Sequence, residues 1–200
     1  MHRYHARRAA RAKPATAFVT HPEPRTIGHF ARGRQLIAGN YLFAEPFGGG
    51  HINDTFRVTT NQGGTEVRYT LQRINHYVFK NPPELMDNYL RVTEHIHRKL
   101  QHRRDSSRHG LYVIRDTQNR PYYKDNDGNF WRCYCFVEKA RSYDICETPE
   151  QAYTAAKAFG EFQLLLVDLP GSRLFETIPN FHNTPKRLAD LEKAISEDPQ

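Results

Sequence analysis

Long hydrophobic runs are missing from this 200-residue chain. A helix that crosses a bilayer needs roughly 20 consecutive apolar residues. The longest clean aliphatic stretch here, Leu164 to Val167, makes one turn, so no membrane partner is expected. Cysteine is scarce as well. Cys133, Cys135 and Cys146 make an odd number with no secretory signal ahead of them. That argues against a disulfide framework and for reduced thiols in a cytoplasmic protein. On a strand Cys133 and Cys135 share a face, but two sulfurs without further ligands at suitable spacing do not make a metal site. Acidic residues are nearly absent from positions 1–34, where one Glu faces eight Lys and Arg. In the remainder 21 Lys and Arg cancel 21 Asp and Glu, so the net charge of +7 belongs to the tail. Such a tail touches anionic surfaces without specificity, and no specific nucleic-acid partner is expected. Internal repeats are absent too.

What the chain does contain is enough for a globular core: 38% hydrophobic residues, with aromatic rings at 12%. Composition divides it into a basic, disordered tail over 1–34, a strand-rich lobe over 35–137, a polar connector over 138–147 and a helical part over 148–200. In the lobe, 40–46 reads as a strand and is followed by Phe47-Gly48-Gly49-Gly50-His51. Residues 53–60 and 66–74 alternate polar and apolar around Asn61-Gln62-Gly63-Gly64, a hairpin signal. A helix opens at Asn81-Pro82 with Glu84 three residues after the cap, and Leu85, Tyr89, Val92, Ile96 and Leu100 mark its apolar face. Residues 111–115 form another strand, and 121–124 and 130–137 flank the turn-rich 125–129. The order predicts an α+β lobe: an antiparallel sheet with one helix packed on it.

Beyond the connector, Thr148, Pro149 and Gln151 form a capping box. Ala152, Ala155, Phe159, Phe162 and Leu166 are the expected buried face of that helix. A third helix starts at Thr184-Pro185, with Leu188, Leu191 and Ile195 on one side. Little sequence remains to cover that side, so we expect the chain to be the front of a longer protein.

The chemistry sits in the glycine loop. Phosphate oxygens bind where backbone N–H groups approach closely, and side chains obstruct that approach. Gly48, Gly49 and Gly50 offer three such positions between two strands. A nucleotide phosphotransferase of the protein-kinase type then needs a cation on the third strand and a carboxylate on the next helix to hold it. The third strand supplies Gln72-Arg73 and the helix Glu94. Phe136, Val137 and Glu138 fall where a hinge pairs with adenine.

The run from Pro46 to Phe56, with its His51-Ile52-Asn53-Asp54-Thr55 core, resembles the loop of N-acetylhexosamine 1-kinases. These belong to the aminoglycoside-phosphotransferase-like group of the protein-kinase-like fold. Leu71 to Asn75, Val78 to Pro82, Val92 to His95, Asn129 to Arg132, Ala158 to Gln163 and Ile178 to Pro185 match further landmarks. The resemblance covers about residues 36–195. It implies a small lobe followed by the first helices of a large lobe. It also implies that Gly48, Gly49, Gly50, His51, Ile52, Asn53 and Thr55 cover the ATP phosphates. Gln72 or Arg73 would approach the phosphates from the third strand, the inward register being open, with Glu94 orienting the cation. Family members transfer the ATP γ-phosphate to a sugar hydroxyl, at the anomeric position in the hexosamine kinases.

One departure limits the reading. The family's catalytic Asp, its following Asn and the Asp that holds magnesium lie beyond the last helix, and no such pattern occurs here. ATP is therefore the expected ligand, with Mg2+ and a sugar acceptor joining only in the complete enzyme, and the chain alone is expected to be inactive. A homoserine, choline or hydroxylysine kinase of the same fold is the alternative enzyme. A non-catalytic lobe that binds nucleotide or a partner is the alternative class. His182 and Asn183 either border an acceptor pocket or, the favoured reading, cap the third helix.

Overall fold

The computed structural model describes residues 37–103 and 110–198; the tail over 1–34 lies outside them. Six antiparallel strands build one sheet: β1 (Asn40–Pro46), β2 (Asp54–Gln62), β3 (Thr65–Ile74), β4 (Val113–Ile114), β5 (Tyr123–Lys124) and β6 (Phe130–Cys135). Their spatial order is β1-β2-β3-β6-β4, with β5 beside β6. The β2–β3 turn is the two-residue loop Gly63–Gly64, with φ of 62° and 91°. A left-handed pair of this kind matches the twist of the strands it joins, and only small residues adopt it cheaply. It fixes the pairing of Gln62 with Thr65 and hence of Thr55 with Gln72.

Because side chains alternate across a strand, that register sorts the sheet into two faces. On one, Ala44, Phe56, Val58, Tyr69, Leu71, Trp131 and Cys133 pack into a buried core with Ile37 and Tyr123. Burying a side chain such as Leu71 stabilises the lobe by roughly 2 kcal/mol. Cys133 shares this face, and burial pushes its thiol well up. The other face carries Thr55, Arg57, Thr70, Gln72, Arg132 and Tyr134, which oppose one another across β2, β3 and β6.

Helix α1 (Pro82–Leu100) covers part of this second face, since Arg132 lies 4.8 Å over the ring of Tyr89. Asn81 caps the helix by accepting from Glu84 N, as its sequence predicts. Its buried side is turned from the expected one: Met86, Thr93, His95, Ile96 and Leu100 are buried, whereas Leu85, Tyr89 and Val92 are half-covered. The helix is held between the sheet and a segment near 165–175, so its covered stripe is wider than one apolar row.

Helices α2 (Pro149–Leu166) and α3 (Thr184–Ser196) begin where predicted. Thr148 and Gln151 complete the capping box. Asn183 caps α3 by accepting from Lys186 N at 3.0 Å, the favoured reading of its sequence. Neither helix has a buried residue, so the faces expected to be covered, Phe159 and Ile195 among them, stand open among the described residues. The segment after α2 is tied to α1 by polar bonds instead. The Asn88 amide donates to Phe175 O at 2.8 Å and accepts from Phe175 N at 2.9 Å. Arg91 donates to the carbonyls of Pro170 and Ser172. Lys99 and His95 reach Leu165 O and Asp168. At Gly171, φ is 94° and an added Cβ sits 3.3 Å from Arg91 Nη2, so glycine lets the guanidinium pass.

Candidate nucleotide site

The loop 47–53 joins β1 to β2 and is closed at its root by Phe47 N donating to Thr55 O at 2.9 Å. Gly48 has φ of 82°, a conformation that suits glycine. A Cβ added at Gly48, Gly49 or Gly50 meets nothing within 4 Å, so the loop's flanks are open to a ligand. His51 and Ile52 are exposed at the tip. Asn53 is committed differently: its Oδ1 accepts from Asn75 N at 3.0 Å and ties the end of the loop to the exit of β3.

Beneath the root, three side chains on neighbouring strands form a row. Gln72 Nε2 donates to Thr55 Oγ1 at 2.8 Å. Arg132 Nε donates to Gln72 Oε1 at 2.9 Å. Both ends of the Gln72 amide are thus used to order its neighbours. Tyr134 and Tyr89 flank this row. Burial raises both phenols, outweighing the opposing pull of Arg132, and Tyr134 stands at about 12. They are neutral hydroxyls at physiological pH.

The inward side chain of the third strand is therefore Gln72. Arg73, the other side chain left open by the sequence, belongs to the opposite face, beside Trp131. Its Nε donates to Asp54 Oδ2 at 2.7 Å, its Nη2 lies 2.5 Å from the same oxygen, and its guanidinium is 6.0 Å from the Trp131 ring. Glu94, expected to orient that cation, is paired elsewhere in this structure. Its carboxylate accepts from Arg115 Nη2 at 2.6 Å, just after β4. The physical reason is one of faces: Arg73 points away from α1 through the sheet, while Glu94 lies on the exposed side of the helix.

The expected hinge leaves β6 on the row's side. Phe136 N donates to Arg68 O at 3.2 Å. Arg68 grips the Glu138 carboxylate through Nε and Nη2 at 2.7 and 2.6 Å, while Val137 is exposed. The Phe136 ring meets Phe47 edge-on with centroids 5.1 Å apart, and Arg57 lies 5.7 and 5.8 Å from the two rings. Residues 136–138 and the root of the glycine loop therefore close toward each other over the same face. The sequence reading gave no site role to Arg57, Arg132 or Phe47. The signal for Arg132 was its alternation with buried Trp131 and Cys133, which puts it opposite the core.

A solved relative of the architecture fits this layout. The structure of a spectinomycin phosphotransferase in complex with ADP and spectinomycin superposes with a TM-score of 0.56 at 10% sequence identity. The chain has a kinase-like α+β fold. The match covers 88% of this chain and 47% of that one, so the chain spans about half the length of this structural neighbour. No protein-family model matches the sequence.

Magnesium is a separate question. Among the described residues no group of three His, Cys, Asp or Glu is placed to hold a metal ion. Asp168, which has a carboxylate near the helical part, is engaged with Lys99 and His95. The described residues do not fit Mg2+. The open glycine loop, the polar row at its root and the 136–138 segment share one face, a layout compatible with a nucleotide. Among the described residues no helix is long and apolar enough to cross a membrane.

Proposed function

We propose that this chain is the ATP-binding part of a small-molecule kinase whose acceptor is a sugar, N-acetylhexosamine at its anomeric hydroxyl being the favoured one. The observation that carries the nucleotide reading is the open glycine loop rooted on the Thr55–Gln72–Arg132 row, facing the same side as the 136–138 hinge. The fold shared with a phosphotransferase solved with ADP supports it. The acceptor follows from the resemblance of the 46–56 and 178–185 runs and from nothing in the cleft.

When bound, ATP supplies the transferable γ-phosphoryl group. The residues of this chain bind and orient. Backbone N–H groups of Gly48, Gly49 and Gly50 take phosphate oxygens, as glycine-rich loops do. Gln72 holds the floor of the loop in place through Thr55, and Phe47 with Phe136 excludes water from the base end. The acceptor-orienting aspartate and the magnesium ligands belong, in this reading, to the rest of a longer enzyme. The 200 residues alone bind ATP without transferring its phosphate.

Titration calorimetry and thermal unfolding test the first half. Saturating ATP or ADP, at about 100 times Kd, is expected to stabilise the chain by about 2.7 kcal/mol. A Cβ added at Gly50 meets no protein atom within 4 Å, so Gly50→Ala is expected to leave the unliganded melting temperature unchanged while weakening ATP about tenfold. Absence of any ATP or ADP effect at millimolar concentration would sink the reading. The acceptor is tested in the longest polypeptide the gene encodes, by transfer from γ-labelled ATP to N-acetylhexosamines, homoserine, choline and hydroxylysine.

A further inference from the structure

We propose that Arg132 on β6, rather than any side chain of the third strand, supplies the positive charge that the nucleotide's polyphosphate meets in this cleft. The inference rests on the nucleotide reading above and adds a residue to it. Four arginines lie on the strands of the sheet. Arg57 is neutralised by Glu45 at 2.5 Å, Arg68 by Glu138 at 2.6 Å and Arg73 by Asp54 at 2.5 Å. Arg132 has no carboxylate partner among the described residues, although it is half-buried. A partly desolvated charge without a counter-ion is costly. Here that cost falls on the same row as the open glycine loop.

The arginine is also ordered before any ligand arrives. Nε is spent on Gln72 Oε1, and the guanidinium carbon lies 4.8 Å over the ring of Tyr89. The two terminal nitrogens keep their hydrogens for a ligand, and a planar guanidinium offers them in the geometry a phosphate accepts. The third strand cannot do this work. Gln72 is neutral and committed at both ends, and Arg73 faces the other way. The neighbouring phenols do not neutralise Arg132, because burial keeps them protonated. Register completes the argument: Arg132 opposes Gln72, and Gln72 opposes Thr55 at the end of the glycine loop. A ligand whose phosphates touch the loop thus has this one unpaired cation along the same row.

The test compares ATP with adenosine by calorimetry on the whole 200-residue chain. The chain is expected to bind ATP more tightly than adenosine. Arg132→Met is expected to weaken ATP by about tenfold or more and to leave adenosine unchanged. Arg132→Lys retains part of the difference. Gln72→Lys on the Arg132→Met background restores it, because the new ammonium enters the same space from the adjacent strand. If Arg132→Met does not fold, Arg132→Gln, which keeps a donor for Gln72 but no charge, is read in the same way. ATP affinity unchanged in an uncharged variant overturns the proposal and leaves the nucleotide site standing. An equal loss of ATP and adenosine assigns Arg132 to packing and overturns it as well. If the unmodified chain binds neither ligand, the nucleotide reading fails first and this proposal falls with it.

Discussion

In the sheet lobe Val58, Ile74, Met86 and Leu71 are at most 1% exposed, whereas Phe159, Leu164 and Ile195 in α2 and α3 stand 69–71% exposed. Both regions have apolar residues at the correct period, yet only one converts the pattern into burial. The lobe closes on itself: a glycine hairpin sets the register, the register sorts the faces, and a core fills one of them. The two helices take their shape from local devices, a capping box and an asparagine cap, and their position from polar bonds to α1. Secondary structure and tertiary stability therefore have separate sources in the two halves.

The sharpest way to break this comparison is to truncate one apolar side chain in each half. Leu71→Ala is expected to cost about 3 kcal/mol, read from the urea midpoint, while Phe159→Ala stays within about 0.5 kcal/mol. A loss above about 2 kcal/mol for Phe159→Ala would show that α2 is packed in solution. A smaller effect falls on the join. Asn88→Ala removes both bonds to the Phe175 backbone and is expected to cost about 1 kcal/mol. It should speed proteolytic cleavage in 170–183, with hydrogen-exchange protection of β2 and β3 unchanged. The smallest effect is acid sensitivity of the same join. The hydrogen bond from Lys99 holds the Asp168 carboxyl below its ordinary value, outweighing the opposing effect of desolvation. A depressed folded-state value means stabilisation that is present above the unfolded value of roughly 3.9. It is lost as pH falls through the folded one. Exchange in 165–175 is thus expected to rise below about pH 4, and Asp168→Asn should show that rise already at neutral pH.

Much of this was legible in the sequence because it is local. Asn81, Thr148 with Gln151, and Asn183 announce their helices within four residues, and Gly63–Gly64 announces its hairpin within two. The strand β1 is found at its predicted limits for the same reason. What the sequence hid depends on contacts far along the chain. Choosing between Gln72 and Arg73 turns on a single residue of register, and both neighbours are polar, so alternation alone does not decide. Pairing Arg73 with Asp54 and Glu94 with Arg115 required knowing which face each occupies. Arg132 became meaningful only once β6 proved to be the neighbour of β3, a placement that skips over β4 and β5. The apolar face of α2 was read correctly as a pattern and incorrectly as burial, since period reports what a helix can cover and not what covers it.

The chain holds one tryptophan, and its place gives the two halves different optical signatures. Trp131 is 2% exposed, its indole N–H donates to Asp125 at 2.8 Å, and its ring lies 6.5 Å from that of Phe56. Its emission reports melting of the sheet lobe alone, while far-ultraviolet dichroism is dominated by the helices. Unwinding of α2 and α3 is silent in the first signal and loud in the second, so the separation of the two halves can be watched without adding a label.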